Sequence, residues 1–209
     1  MIVVVAPGQG SQTPGFLEPW LDVDGVREHL GTLSEAAGVD LIAHGTTSDA
    51  DTIRDTEIAQ PLIVAASIVT GTVLLRDRAA RVGAVAGHSV GEFAAAHLAG
   101  ILSDTDALRL VGVRGRAMAE EASKIATGMS AVLGGEPAEL EAALGELGLF
   151  AANMNGGGQT VVAGELEGPA TRFEQRSEHV DRGRILFPSI FAITLHHERL
   201  DASAKVIRQ

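Results

Sequence analysis

The chain opens on an unbroken apolar run, Ile2-Val3-Val4-Val5-Ala6. Successive β-branched residues with no polar alternation predict a strand covered on both faces, as in a parallel sheet. Pro7-Gly8-Gln9-Gly10-Ser11-Gln12 follows and predicts a loop. Residues 13–30 read as loop and short helix, and Asp49 or Asp51 is placed to cap a short turn over 52–56. Residues 59–76 are apolar nearly all round, which predicts a buried helix with Pro61 accommodated in its first turn. A short apolar strand over 82–86 and a helix over 89–99 come next. Ser103-Asp104-Thr105-Asp106 is a capping box with Asp in place of the usual Glu. It opens a helix to about residue 122, with Ala107, Leu110, Val111, Arg114 and Met118 close to one stripe.

After Gly128 the texture changes. Residues 129–133 read as a strand and 137–147 as an Ala/Leu/Glu helix with Pro near its start. Residues 149–153 and 159–163 read as two strands joined by Gly156-Gly157-Gly158. A helix over 168–177 and a strand over 184–187 complete a β-α-β-β-α-β order, the signature of a ferredoxin-like unit. The tail differs again: residues 168–209 hold three of the six Phe and seven of the sixteen basic residues. So late a shift marks an interaction tail or a frameshift product. Repeats and low-complexity segments are not evident.

Composition narrows the class. A chain of 209 residues suits one domain, or one with a small companion, and 45% hydrophobic with 21% charged residues is ordinary for a globular protein. Aromatics are only 3%, so the core rests on Ala, Val, Leu and Ile. A net charge of −11 argues against nucleic acid and against an anionic membrane surface as partner. The lack of Cys removes disulfides, thiolate zinc sites and a Cys nucleophile. The N-terminus lacks the basic region of a signal peptide, and no apolar run reaches the roughly 18 residues of a bilayer span. The expected setting is the cytoplasm.

The chemistry centres on Gly87-His88-Ser89-Val90-Gly91. Set between a predicted strand and helix, it reads as a nucleophile elbow: small residues on either side of Ser89 let the chain reverse sharply. The Val90 N–H then points at an oxyanion formed on the substrate. The competing reading is a plain strand-to-helix turn. His88 is a poor base for its own neighbour, because consecutive side chains diverge around a tight bend. His97, within the helix, reads as structural. Arg114 on an apolar stripe is either snorkelling at the core edge or functional. Asn153, Asn155 and Gln159 read either as lining a cleft or as turn residues of a Gly-rich hairpin. No helix follows Gly156-Gly157-Gly158 as a phosphate loop requires, which excludes nucleotide binding there.

Four motifs stand in register: Gly8-Gln9-Gly10-Ser11-Gln12, Gly87-His88-Ser89-Val90-Gly91-Glu92, Arg114-Gly115-Arg116-Ala117-Met118 and Asn153-Met154-Asn155-Gly156-Gly157-Gly158-Gln159. Together they resemble the malonyl-CoA:acyl-carrier-protein transacylases of fatty acid and polyketide synthesis, over about residues 1–167. The resemblance implies an α/β-hydrolase-like parallel sheet core with an inserted ferredoxin-like small subdomain, the C-terminal part of the large domain being missing. The corresponding boundaries are 1–125 for the acyltransferase core, 126–190 for the subdomain and 191–209 for a divergent tail. By the same resemblance Ser89 carries the acyl group as an ester, and the N–H groups of Gln9 and Val90 receive the oxyanion. Arg114 grips the free carboxylate of malonyl in a two-pronged contact that Lys does not match. Arg116 reads as a surface charge. The implied partners are malonyl-CoA and an acyl carrier protein, with no cofactor, no metal and a monomeric chain. The family's catalytic His has no direct counterpart: register puts Thr194 there, with His196 and His197 just beyond. Two further readings stay open. One is a remnant without turnover that at most binds a carrier protein. The other is a serine hydrolase, which shares the elbow but leaves Arg114 unexplained.

Overall fold

A computed structural model describes residues 1–156, 158–165 and 206–207. They form two compact units, Met1–Glu121 and Ala122–Gln209. The predicted helix over 168–177, the predicted strand over 184–187, and Thr194, His196 and His197 lie outside the described residues.

In the first unit, β1 (Ile2–Ala6) pairs in parallel with β2 (Val82–Gly87), Val3 opposite Ala84 and Val5 opposite Ala86. Parallel pairing demands a long crossover, and helices α1 (Val26–Ala37), α2 (Leu41–Thr46) and α3 (Thr56–Leu75) supply it. α1 buries Val26, Leu30, Leu33 and Ala37, a helical stripe ended by Gly38 in the left-handed conformation. Sequence inspection that read only loop and short helix up to residue 30 passed over that 26/30/33/37 spacing. Asp40 caps α2 by accepting from the Ala43 N–H at 3.0 Å.

α3 is the buried heart of this unit, with Leu62, Ile63, Val64, Ala65, Ile68 and Val69 almost fully enclosed. Two expectations about it need correction. The Asp55 carboxylate caps it through the Glu57 N–H at 2.9 Å, so the helix starts at Thr56 and Pro61 falls in its second turn. By length and composition this helix also meets the requirements of a membrane span, although 61% of that stretch is buried inside the protein. A core helix wrapped on all sides needs the same apolar surface as one in lipid.

The expectation that β1 is covered on both faces also fails among the described residues. Burial alternates along it, and Val3 and Val5 are 53% and 68% exposed. One face of the ladder rests on α3 and on α4 (Gly91–Leu98). No described element lies over the other.

α5 (Asp104–Lys124) starts as predicted: the Asp106 N–H donates to Ser103 Oγ at 3.0 Å. The Asp106 carboxylate is too short to reach back to the Ser103 backbone and accepts from its hydroxyl instead, at 2.7 Å. The predicted stripe is rotated. Ala107, Leu108, Val111, Gly112 and Gly115 are buried, whereas Leu110 and Met118 are 48% and 43% exposed. Glycines at 112 and 115 set this face, because a Cβ at Gly112 would stand 2.6 Å from the Ala37 carbonyl oxygen.

The second unit is an antiparallel sheet in the order β4-β5-β3-β6, made from β3 (Thr127–Leu133), β4 (Phe150–Gly156), β5 (Gln159–Glu165) and β6 (Val206–Ile207). Helix α6 (Pro137–Leu147) begins on Pro137, and Gly148 ends it in the left-handed conformation. Its Leu144 and Leu147 join Val132, Leu149 and Val162 in a small core.

Candidate active site

Ser89 is the one non-glycine among the described residues with positive φ, at 50°. That conformation costs an L-residue roughly 1–2 kcal/mol, so the surroundings must impose it. Its glycine neighbours show how. A Cβ on Gly87 would collide with the Gly91–Glu92 peptide, and one on Gly91 would lie 2.5 Å from the carbonyl oxygens of Ala6 and Pro7. The two arms of the bend therefore pass each other, and the end of β1, at backbone distance. Three hydrogen bonds fix it: His88 N–H to the Ala6 carbonyl at 3.0 Å, Gly91 N–H to the His88 carbonyl at 2.9 Å, and Glu92 N–H to the Ser89 carbonyl at 3.1 Å. Ser89 stays exposed at the tip, while Val90 is 1% exposed and anchors the bend in the core.

The loop after β1 lies against this bend, since a Cβ on Gly8 would stand 2.5 Å from His88 Nδ1. Gln12 clamps the loop: its Nε2 donates to the Ile53 carbonyl at 2.9 Å, and its Oε1 accepts from the Gly10 N–H at 2.9 Å. The Gln9 side chain turns toward the start of α3, with Nε2 3.3 Å from Thr56 Oγ1 and 3.4 Å from the Arg54 carbonyl. Among the described residues, no group accepts a hydrogen bond from the backbone N–H of Gln9 or of Val90.

Arg114 reaches this bend from α5. Its Nη2 donates to Ser89 Oγ at 3.4 Å, and its Nη1 to Gln60 Oε1 at 2.5 Å. The half-buried guanidinium is therefore turned toward the bend rather than snorkelling to solvent. Gln60, on α3, is 1% exposed and the only buried polar side chain among the described residues. Its Nε2 donates to Met118 Sδ at 3.2 Å. Sequence inspection missed Gln60, although a lone amide in an otherwise apolar helix was the signal. Arg116 is more than a surface charge. Its Nη1 donates to the carbonyl of Ala37 at 3.1 Å, satisfying an orphan acceptor at the end of α1.

The remaining candidates do not join this cluster. His97 Nδ1 lies 3.3 Å from the Leu102 carbonyl, a local contact beyond the end of its own helix. Asn155 donates to Gln159 Oε1 at 2.8 Å across the β4–β5 hairpin, and Asn153 pairs with Val161, all within the second unit. Among the described residues, no three His, Asp or Glu side chains gather closely enough to hold a metal ion.

Comparison with known proteins agrees with these motifs. The family described as acyl transferase domain matches residues 3–184. The malonyl CoA-acyl carrier protein transacylase of Mycobacterium tuberculosis is 47% identical over 168 residues, which is 79% of this chain and 56% of that protein. The crystal structure of MCAT from the same organism superposes with a TM-score of 0.76 at 45% identity, covering 85% of this chain and 58% of that one. A malonyl-transacylase solved in complex with a type II PKS acyl-carrier protein gives a TM-score of 0.74 at 29% identity, over 85% of this chain and 59% of that one. The chain thus spans just over half the length of the relatives it matches. With the bend, the Gln12-clamped loop and Arg114 all inside the matched stretch, the chain belongs to the acyl transferase domain family, beside relatives named malonyl CoA-acyl carrier protein transacylase.

Proposed function

We propose that this chain is an acyltransferase that moves malonyl from coenzyme A to the thiol of an acyl carrier protein, in fatty acid or polyketide synthesis. One observation carries the reading: a guanidinium nitrogen stands 3.4 Å from the hydroxyl at the tip of the bend. Malonyl has a carboxylate one carbon from its thioester carbonyl. A nucleophile and an arginine side by side match that spacing, and acetyl offers the arginine nothing. In the first half-reaction Ser89 Oγ bonds to the thioester carbonyl carbon, the C–S bond breaks, and coenzyme A leaves as its thiol. In the second, the carrier protein's thiol attacks the ester and frees Ser89. The N–H groups of Val90 and Gln9, without an acceptor among the described residues, are the donors for the tetrahedral oxyanion. The Ser89 proton needs a base; Thr194 has none to offer, and His196 and His197 are the alternatives by sequence.

The finer architecture belongs to the same proposal. The antiparallel order β4-β5-β3, with α6 between β3 and β4, supports a ferredoxin-like subdomain over 126–190, with an α/β-hydrolase-like core over 1–125 and a divergent tail over 191–209, although β6 pairs with β3 from within that tail. The transacylase solved with its acyl-carrier protein supports a carrier protein as acceptor. The proposed reaction draws on no cofactor or metal, and we place the chain in the cytoplasm as a monomer. Incubation with radiolabelled malonyl-CoA tests it. A hydroxylamine-labile label on the wild type, absent from Ser89→Ala, is the expected result. An unlabelled wild type, where the M. tuberculosis relative labels, rejects turnover. It would favour the second reading, a carrier-binding fold without activity.

A further inference from the structure

The acyl transfer itself gives Gln60 no task, yet burying an amide at 1% exposure inside an apolar helix is costly unless both its ends are satisfied. Its two ends are satisfied unequally. Oε1 accepts from Arg114 Nη1 at 2.5 Å, a charge-assisted bond, while among the described residues Nε2 meets only the thioether of Met118 at 3.2 Å, a weak acceptor. A guanidinium has donors alone, so the amide seats one way round: reversed, its NH₂ would face the N–H groups of Arg114. A neutral carbonyl also restrains the guanidinium without cancelling its charge, as a carboxylate of the same shape would. The nitrogen left over, Nη2, is the one turned to Ser89 Oγ at 3.4 Å.

We propose that Gln60 is a positioning residue that sets, through Arg114, the preference of this site for acyl groups bearing a free carboxylate. Its buried carbonyl pins Nη1 and leaves Nη2 of a still fully cationic guanidinium beside the nucleophile. The inference rests on the malonyl reading above and adds to it the residue that makes the arginine selective.

The test uses the full chain labelled with ¹⁵N-arginine, as wild type, Gln60→Met and Gln60→Glu, with Arg114→Ala assigning the signal. Wild type should show distinct, slowly exchanging Nη resonances for Arg114. Gln60→Met keeps the volume but has no carbonyl, so rotation of the guanidinium should speed up at least about tenfold. Malonyl-CoA binding, measured by calorimetry, should weaken roughly tenfold, the size of one charge-assisted bond, with acetyl-CoA binding unchanged. Gln60→Glu should keep the Nη resonances distinct yet weaken malonyl-CoA further, because the carboxylate neutralises the arginine. Wild-type guanidinium dynamics in a folded Gln60→Met, or equal losses for both thioesters, would overturn the proposal in favour of a purely structural amide. Should Gln60→Met not fold, Gln60→Glu decides: unaltered malonyl-CoA affinity overturns it, and a loss confined to malonyl-CoA upholds it. A wild-type chain that binds neither thioester removes the acyl-transfer reading and the preference with it, while the resonances still report whether Gln60 holds Arg114.

Discussion

Ser89 keeps a side chain in a conformation that glycine adopts freely, and the strain has a measurable size. Ser89→Gly should raise the unfolding free energy by about 0.5–1 kcal/mol while abolishing malonyl labelling. A stability measurement in urea checks the first half; an equal or lower midpoint would mean that φ of 50° is not strained here. The flanking glycines behave oppositely. Gly91→Ala pushes a methyl to within 2.5 Å of two backbone oxygens that have nowhere to go, and should cost more than about 2 kcal/mol by thermal unfolding. Arg114→Ala should lower labelling by malonyl-CoA about 100-fold against acetyl-CoA, the scale of a two-pronged charged contact. At this scale the sequence was informative where chemistry needs a particular residue at a particular spacing, as in Gly87, Ser89, Gly91 and Arg114. Gln60 stood out as a lone amide in an apolar helix, but its role was not legible, because it depends on Arg114 and Met118, both more than fifty positions away on another helix.

Among the elements, α3 to α6 and β1 to β5 could be placed from apolar runs, caps and Pro or Gly punctuation, with ends that shifted by a few residues. Strand β4 runs on to Gly156 and helix α3 starts at Thr56, because ladder pairing and the Asp55 cap settle those ends. Which side of α5 is buried depended instead on Gly112 and Gly115, whose lack of a side chain admits neighbouring backbone, and a hydrophobic count is blind to that. The first turn of α5 also carries a pH-dependent link. Asp104 meets His29 Nε2 at 2.7 Å. Burial opposes ionisation of this carboxyl, but the bonds from His29 and the Thr105 N–H outweigh it and hold its pKa below the usual carboxylate value. A group with a depressed folded pKa stabilises the fold above its unfolded value, about 3.9, and loses that contribution as pH falls through the folded one. With both side chains about a third exposed, the gain is at most about 1 kcal/mol. Urea unfolding of Asp104→Asn should thus trail wild type at pH 6, and the gap should narrow progressively as the pH falls below the unfolded value of about 3.9. A constant gap across that range would rule out the linkage.

For the molecule as a whole, the apolar face of the β1–β2 ladder has no described cover. Val5→Lys places a charge where Val5 is 68% exposed, so stability should stay within about 0.5 kcal/mol of wild type. Binding of an apolar dye and self-association by light scattering should both fall. A loss of stability above about 2 kcal/mol would mean that this face is covered. The bend around Ser89 also has a consequence for synthesis. It is braced by the Ala6 carbonyl, which receives the His88 N–H, and by Pro7, which crowds Gly91. Ile2–Ala6 must therefore wait, unpaired, until the segment from Val82 to Gly91 has been synthesised. A chaperone that shields Ile2–Ala6 during that interval would govern how much protein matures.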